Sequence, residues 1–260
     1  MSERELGTHD WREESIRQDQ KLRPGRILTR IEQLPWPHFE DSLWARGYAK
    51  SDQPVLTAAE CASLKQLYGE PARFRSRVEM ERFRFGVGDY QYFADPLPEL
   101  VQHLRTHIYP YLAPIANRWT EALGFPDRFP EKLSELAAQC RKAGQTKPTP
   151  LLLHYEAGGY NCLHQDIYGK WVFPFQALFF LSEAEREYSG GEFMLVEQRP
   201  RAQSIAEVIG GDLGEMVIFT TRYRPIKGSR GYYRANVKHG VSRVRAGKRY
   251  TLGIIFHDAQ

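Results

Sequence analysis

After Pro148 the chain loses helical periodicity and becomes a succession of short strand-like runs. They fall at 151–156, 162–167, 171–181, 191–197, 216–220, 236–241 and 250–257, and they are rich in β-branched and aromatic residues. Gly158-Gly159, Gly190-Gly191, Gly210-Gly211 and Ala246-Gly247 supply turns between them. Roughly seven or eight short strands joined this way bury their apolar faces only against one another, which predicts a sandwich or barrel rather than a doubly wound parallel sheet. The fold class is therefore α+β with a mainly β core. A jelly roll of the cupin type has this strand count.

The preceding part reads differently. Residues 1–35 are polar and charged with no sustained apolar period, and form either a surface helix around 12–20 or a partly disordered segment. Pro24-Gly25 and Pro35-Trp36-Pro37 are breaks. Residues 36–148 read as a helical support region. Thr57 stands as N-cap and Glu60, three residues on, completes a capping box, opening a helix to about Tyr68 with Leu64 and Leu67 inward. The period of two in Phe83, Phe85, Tyr90 and Tyr92 predicts strands turning at Gly86 and Gly88. A long helix follows over 96–123, with breaks expected at Pro110 and Pro114, and a second over 131–143 with Leu133 and Leu136 inward. Residues 149–260 form the catalytic core, in one compact unit with the support region.

Composition excludes several classes. Hydrophobic residues are 42% and charged residues 26%, as in ordinary globular proteins. No apolar run has membrane-spanning length, and the opening MSERELGTHDWREES is charged where a signal peptide would be greasy. Cys61, Cys140 and Cys162 are odd in number and far apart, which fits a reducing cytoplasm better than a disulfide framework. The formal net charge of +4 is unevenly placed: residues 199–249 hold twelve Lys and Arg against three acids. Such a face attracts phosphates or carboxylates, or is simply solvated.

The chemistry concentrates in LLLHYEAGGYNCLHQD, residues 151–166. On an extended strand His164 and Asp166 point to one face and Gln165 to the other. An imidazole and a carboxylate so placed are two corners of a 2-His-1-carboxylate site, which suits non-haem Fe(II) with open positions for O2. The third corner is a histidine from a later strand. His239 fits best, with His154 and His257 as competitors. Ten residues after His239 comes Arg249, and Thr251 shares its strand face. An arginine fork beside a hydroxyl is a receptor for a carboxylate held bidentately. Cys162, on the face of His164 and Asp166, reads as small apolar packing. Trp171 and Phe173 read as core. His103 and His107, four apart on the long helix, lack further ligands and read as an exposed pair.

His-x-Asp, a distal His, and Arg ten residues later with a hydroxyl two beyond resemble the Fe(II)/2-oxoglutarate dioxygenases. The resemblance covers about residues 150–258, with spacing like that of prolyl 4-hydroxylase-type members. Gly190-Gly191-Glu192-Phe193 and Met216-Val217-Ile218-Phe219 also look like strands of that class. It implies a double-stranded β-helix (jelly roll), Fe(II) on His164, Asp166 and His239, 2-oxoglutarate on Arg249 and Thr251, O2 as co-substrate, and C–H hydroxylation. Tyr155 and Leu163-His164-Gln165-Asp166 are similar to the AlkB-type nucleic-acid dealkylases, in which the tyrosine nine residues before the first ligand contacts 2-oxoglutarate. Tyr155 inherits that role by implication. Two departures stand out: Ile255 where that group has a second arginine, and a shorter interval from distal His to Arg. The catalytic half also resembles a bacterial oxygenase family described as acting on damaged DNA.

For the substrate, the stretch 221–234 reads as a long basic and aromatic loop just before His239. Arg222, Tyr223, Arg224 and Arg230 are its candidate contacts, and it suits an anionic partner, either nucleic acid or an acidic peptide. Hydroxylation of a protein or small molecule and oxidative demethylation of alkylated nucleic acid are the two enzymatic readings. A non-catalytic cupin-like binding module would lack a ligand or the clamp arginine, and neither is missing.

Overall fold

The computed structural model describes residues 24–260, and the expectation for residues 12–20 lies outside them. The support region opens with α1 (Pro24–Glu32), α2 (Trp36–Arg46), β1 (Tyr48–Lys50) and α3 (Ala58–Leu67). α3 starts with the capping box: the Glu60 N–H donates to Thr57 Oγ1 at 3.2 Å and the Thr57 N–H to Glu60 Oε2 at 2.7 Å. Arg30 also donates to both Glu60 oxygens, at 2.6 and 2.8 Å, which ties α1 to α3.

β2 (Phe74–Glu79), the one-turn α4 (Met80–Phe83), β3 (Gly86–Val87) and β4 (Asp89–Phe93) follow. The aromatic alternation therefore does not mark a simple hairpin. Phe83 closes α4, and on β4 the buried positions are Asp89, Gln91 and Phe93 rather than the tyrosines. α5 (Glu99–Ala122) runs unbroken through Pro110 and Pro114, contrary to expectation. Each interior proline costs about 3 kcal/mol. Both prolines are on the exposed side, while Val101, Leu104, Ile108, Leu112, Ile115 and Trp119 are buried. At about 1.5–3 kcal/mol for each such side chain, burial wins. α6 (Leu133–Lys142) completes the support layer, with Leu133 and Leu136 buried.

The core strands are β5 (Leu151–Glu156), β6 (Tyr160–His164), β7 (Phe175–Phe180), β8 (Tyr188–Gly190), β9 (Phe193–Gln198), β10 (Ile205–Ile209), β11 (Met216–Thr220), β12 (Tyr223–Gly228), β13 (Gly231–Val241) and β14 (Val244–Ile255). They form an eight-stranded sheet in the order β1-β11-β7-β14-β5-β4-β2, with β8 on β14. The facing six-stranded sheet runs β10-β9-β13-β6-β3, with β12 on β13. Their antiparallel pairings make the double-stranded β-helix.

β7 explains why periodicity is weak here: all six of its residues are buried. Phe175, Ala177 and Phe179 pack toward the helical layer with Trp119 and Tyr109, while Leu178 and Phe180 pack toward Phe193, Leu195 and Val237 of the other sheet. The stretch 221–234 is not a loop. It is the β12–β13 hairpin, paired from Tyr223↔Asn236 to Gly228↔Gly231 around a two-residue turn. No helix among the described residues is long and apolar enough to cross a membrane.

Candidate active site

β6 and β13 pair with His164 opposite His239, which sets their rings 4.2 Å apart between centroids. This approach depends on Gly240, where a Cβ would lie 2.8 Å from the Asn161 carbonyl oxygen. Asp166 lies just beyond the end of β6 yet keeps to the side of His164, while Gln165 points away and donates to the Arg222 and Val237 carbonyls at 3.1 and 2.8 Å. Its carboxylate reaches both rings: Oδ1 is 3.5 Å from His164 Nε2 and Oδ2 is 3.2 Å from His239 Nε2. Ligand atoms of all three lie within 4.8 Å of one another, and among the described residues no other such group occurs. His154 is drawn away by Asp89, 3.2 Å from its Nδ1, and stacks on Tyr250. His257 is buried and accepts the Phe173 N–H at Nδ1, 3.1 Å away.

Two of the three side chains are oriented from behind, while His239 Nδ1 has no hydrogen-bond partner among the described residues. His164 Nδ1 donates to the Cys162 carbonyl at 2.7 Å, which leaves the Nε2 lone pair facing Asp166. Tyr168 donates to Asp166 Oδ1 at 2.7 Å, and Gln176 Nε2 to Oδ2 at 2.9 Å. Burial works against charge on Asp166, yet the hydrogen bond and charge of His239, then His164 and Tyr168, hold its carboxyl well below the usual range. Burial first, then Asp166, raises the Tyr168 phenol, so it stays a donor. Sequence reasoning missed both supports. Tyr168 carried a weak signal in its two-residue offset from Asp166, and Gln176 carried none.

Beside this group, β14 carries Arg249 opposite Tyr155 of β5. Arg249 is 0% exposed, and none of its three nitrogens has a hydrogen-bond partner among the described residues; the same holds for the Thr251 and Tyr155 hydroxyls. The rings of Tyr155, Phe180 and Tyr188 surround the guanidinium at 5.7, 5.8 and 5.9 Å. Gly191, at φ +63°, leaves room for its stem, since a Cβ there would lie 2.8 Å from Arg249 Cδ. Burial pushes the Tyr155 phenol up to about 12 despite the nearby Arg249 charge. A buried cation with two idle hydroxyls fits the far carboxylate of 2-oxoglutarate. The His-Asp-His group fits a divalent iron that keeps open positions. Thr251 lines one cavity with His164, Asp166 and His239, about 410 Å³ in volume. Ile255, buried, lines it too.

The expected substrate contacts are not all brought to this cavity. Arg224 is 5% exposed; it donates to Glu197 at 2.6 Å and to the Trp44 carbonyl at 2.8 Å. That corrects its reading from a substrate contact to a strut between the hairpin and α2. Arg222 stacks on Tyr223 at 4.4 Å, and Arg234 approaches the same ring at 5.4 Å, which occupies Tyr223 within the hairpin. Arg230 is exposed in the hairpin turn. Cys162 is exposed on the cavity rim, so its packing reading is also corrected. Phe173 is fully buried against Tyr109 and Phe129, as core.

The fold has solved counterparts. A prolyl-4-hydroxylase of Pseudomonas putida is similar with a TM-score of 0.51 at 15% identity, over 86% of this chain and 99% of that one. An oxidoreductase of the 2OG-Fe(II) oxygenase family from Burkholderia pseudomallei also has a TM-score of 0.51 at 15% identity, over 87% and 93% of the two chains. In sequence, uncharacterized proteins from two strains of Mycobacterium tuberculosis are 47% identical over 167 residues, covering 64% of this chain and 72% of theirs. A family model described as "Oxygenase, catalysing oxidative methylation of damaged DNA" matches residues 88–259, which include the three candidate ligands and Arg249. By that match, the chain belongs to the Oxygenase-NA family of oxygenases.

Proposed function

We propose that His164, Asp166 and His239 hold Fe(II), that Arg249, Thr251 and Tyr155 hold the far carboxylate of 2-oxoglutarate, and that the enzyme hydroxylates the N-methyl group of a methylated nucleobase. The observation that carries the cofactor reading is Arg249, buried with no hydrogen-bond partner among the described residues, beside a His-Asp-His group. Only an anionic ligand relieves such a charge. Iron so held, with 2-oxoglutarate and O2, supplies an oxidant that replaces a C–H hydrogen by hydroxyl, while 2-oxoglutarate leaves as succinate and CO2.

The protein's own part is placement. The Cys162 carbonyl fixes His164 in the tautomer whose Nε2 faces the site. Tyr168 and Gln176 hold the Asp166 carboxylate in one orientation. The Thr251 and Tyr155 hydroxyls donate to the carboxylate that Arg249 neutralises. Apolar walls from Leu178, Phe193 and Phe219 keep stray reductants from the site. The family's description, damaged DNA, supports the substrate reading. A hydroxylated N-methyl group falls apart to formaldehyde and the unmodified base, so an oxygenase acting there removes methyl groups.

The test screens succinate and formaldehyde release with Fe(II) across methylated oligonucleotides, peptides and small metabolites. Equimolar succinate and formaldehyde with a methylated oligonucleotide are expected. Succinate coupled only to peptide or metabolite hydroxylation refutes the substrate reading and keeps the cofactor one. His239→Ala is expected to lose bound metal, measured directly by metal analysis, and a full metal complement there refutes the ligand set.

A further inference from the structure

Phe85 lines the metal cavity, and Phe83, outside the lining, stacks on Phe85. Phe83 and Phe85 are 57% and 47% exposed, and their rings stack with centroids 5.5 Å apart and planes at 20°. The excursion that bears them is anchored. Met80 is fully buried in a cluster with Tyr155, and its N–H donates to the Gly88 carbonyl at 3.0 Å. The Cys162 N–H donates to the Phe85 carbonyl at 2.7 Å, and Gly86 pairs with Asn161. The rings are thus fastened to β6, the strand that ends at His164. Arg84 and Phe85 line the same cavity as the three candidate ligands, next to Leu163, which is 40% exposed. Arg82 is paired with Glu79 at 2.6 Å, whereas Arg84 has no ion-pair partner among the described residues.

Exposed apolar surface at a cavity rim marks a ligand contact. Near-parallel rings offer a flat face, which suits a planar heterocycle better than an aliphatic side chain. A free arginine beside them calls for one anionic group. Bases joined by phosphates supply both features at this spacing in any sequence.

We propose that Phe83, Phe85 and Arg84 form the grip for a single-stranded nucleic acid, with an unpaired base on the ring pair and a neighbouring phosphate on Arg84. This rests on the nucleic-acid reading of the site and assigns the rim residues that select the strand. A base inside a duplex cannot lie on the rings without leaving its stack, so single strands bind more tightly than duplexes.

The test is fluorescence anisotropy with a labelled single-stranded octamer bearing one N-methylated base. The protein is loaded with Fe(II) and 2-oxoglutarate under argon, so that binding is read without turnover. Phe83→Ala/Phe85→Ala is expected to weaken binding about ten- to a hundredfold, the loss of one stacked base, while Phe83→Tyr/Phe85→Tyr keeps it. Arg84→Asn, which tolerates the φ of +60° there, is expected to flatten the slope of log K against log salt by about 0.7. The 2-oxoglutarate-induced rise in melting temperature reports folding independently. If wild type binds and demethylates the octamer and the alanine pair binds it equally well, the grip is overturned and the function stands. If wild type binds an aromatic peptide but no oligonucleotide, both are overturned. Should the alanine pair lose the 2-oxoglutarate response as well, an unchanged salt slope in Arg84→Asn overturns the grip.

Discussion

Replacing Arg249 by Met separates co-substrate recognition from folding. The guanidinium is fully buried among the rings of Tyr155, Phe180 and Tyr188, and no acceptor among the described residues meets it. Methionine keeps most of the volume and suits an aromatic surround. It also removes a buried charge that no protein group balances, so the metal-loaded protein without 2-oxoglutarate is expected to melt no lower than wild type. Binding should change sharply. A ligand carboxylate deprived of its buried cation loses about 3–5 kcal/mol, or between about a hundredfold and several thousandfold in Kd. At 2-oxoglutarate one hundred times the wild-type Kd, wild type gains about 2.7 kcal/mol. For a chain of this size that is about 5–10 °C in Tm. At the same concentration the variant gains at most about 0.4 kcal/mol, or about 1–2 °C. The assay is a thermal melt of Fe(II)-loaded protein under argon, with and without 2-oxoglutarate. A variant that keeps the full wild-type shift shows that the co-substrate is held elsewhere. A variant that melts several degrees lower without 2-oxoglutarate shows that Arg249 serves the fold.

Gly191→Ala places a Cβ 2.8 Å from Arg249 Cδ at a φ of +63°, so the 2-oxoglutarate Kd should rise about tenfold, a cost near 1.4 kcal/mol, and an unchanged Kd by calorimetry would show that the arginine stem is free to move. Arg224→Ala breaks a buried pair with Glu197, which keeps Arg199 at 2.6 Å; the loss in urea unfolding should therefore be about 3 kcal/mol, the low end for such pairs, and a neutral result would return Arg224 to the substrate side. His257 gives a pH signature: burial, then the Arg105 charge, push its imidazole down to about 3. Below about pH 6.5 the unfolded chain takes up a proton that the folded chain refuses, so stability falls with pH from about 6.5 to about 3 at about 1.4 kcal/mol per unit, and the penalty is absent above that window. His257→Asn should recover about 2 kcal/mol of the stability lost between pH 7 and pH 5, and identical losses in the two proteins would refute this.

Much of the architecture was legible because its signals are local. The Thr57–Glu60 capping box, the Gly158-Gly159 turn and the runs Leu151–Glu156 and Met216–Thr220 each follow from neighbours in sequence. Ala246-Gly247, expected as a turn, lies instead inside β14, and β13 and β14 are joined at Ser242-Arg243. The candidate ligands were legible by spacing: His164 and Asp166, two apart, converge and Gln165 points away, even though β6 itself ends at His164. What sequence could not reveal depends on distant partners. Gln176 reaches Asp166 only because β7 runs behind it, and α5 survives two prolines only because its other face is buried. The β12–β13 hairpin read as a loop because its turn, Ser229-Arg230, holds no glycine, and the glycines that flank it, Gly228 and Gly231, end the paired strands.

Arg224 and Arg249 show what composition leaves open. Both stand in the same basic span, both lie on strands, and both are almost fully buried. They differ in what faces them. Arg224 meets Glu197 and the Trp44 carbonyl, so its charge is satisfied and it fastens the hairpin to α2. Arg249 meets three rings and no acceptor, so its charge is satisfied only by something that enters the site. A buried charge with a protein partner holds the fold, and one without a partner holds a ligand. At the surface, the same criterion leads away from the hairpin, where Arg222 and Arg234 already embrace Tyr223. It leads to Arg84 and Phe85, which line the cavity, and to Phe83 stacked on Phe85; Arg84 has no ion-pair partner among the described residues. The basic span that dominates the composition therefore supplies a structural strut and, on the proposed function, the co-substrate clamp, whereas the proposed substrate contacts lie in a short excursion before the core begins.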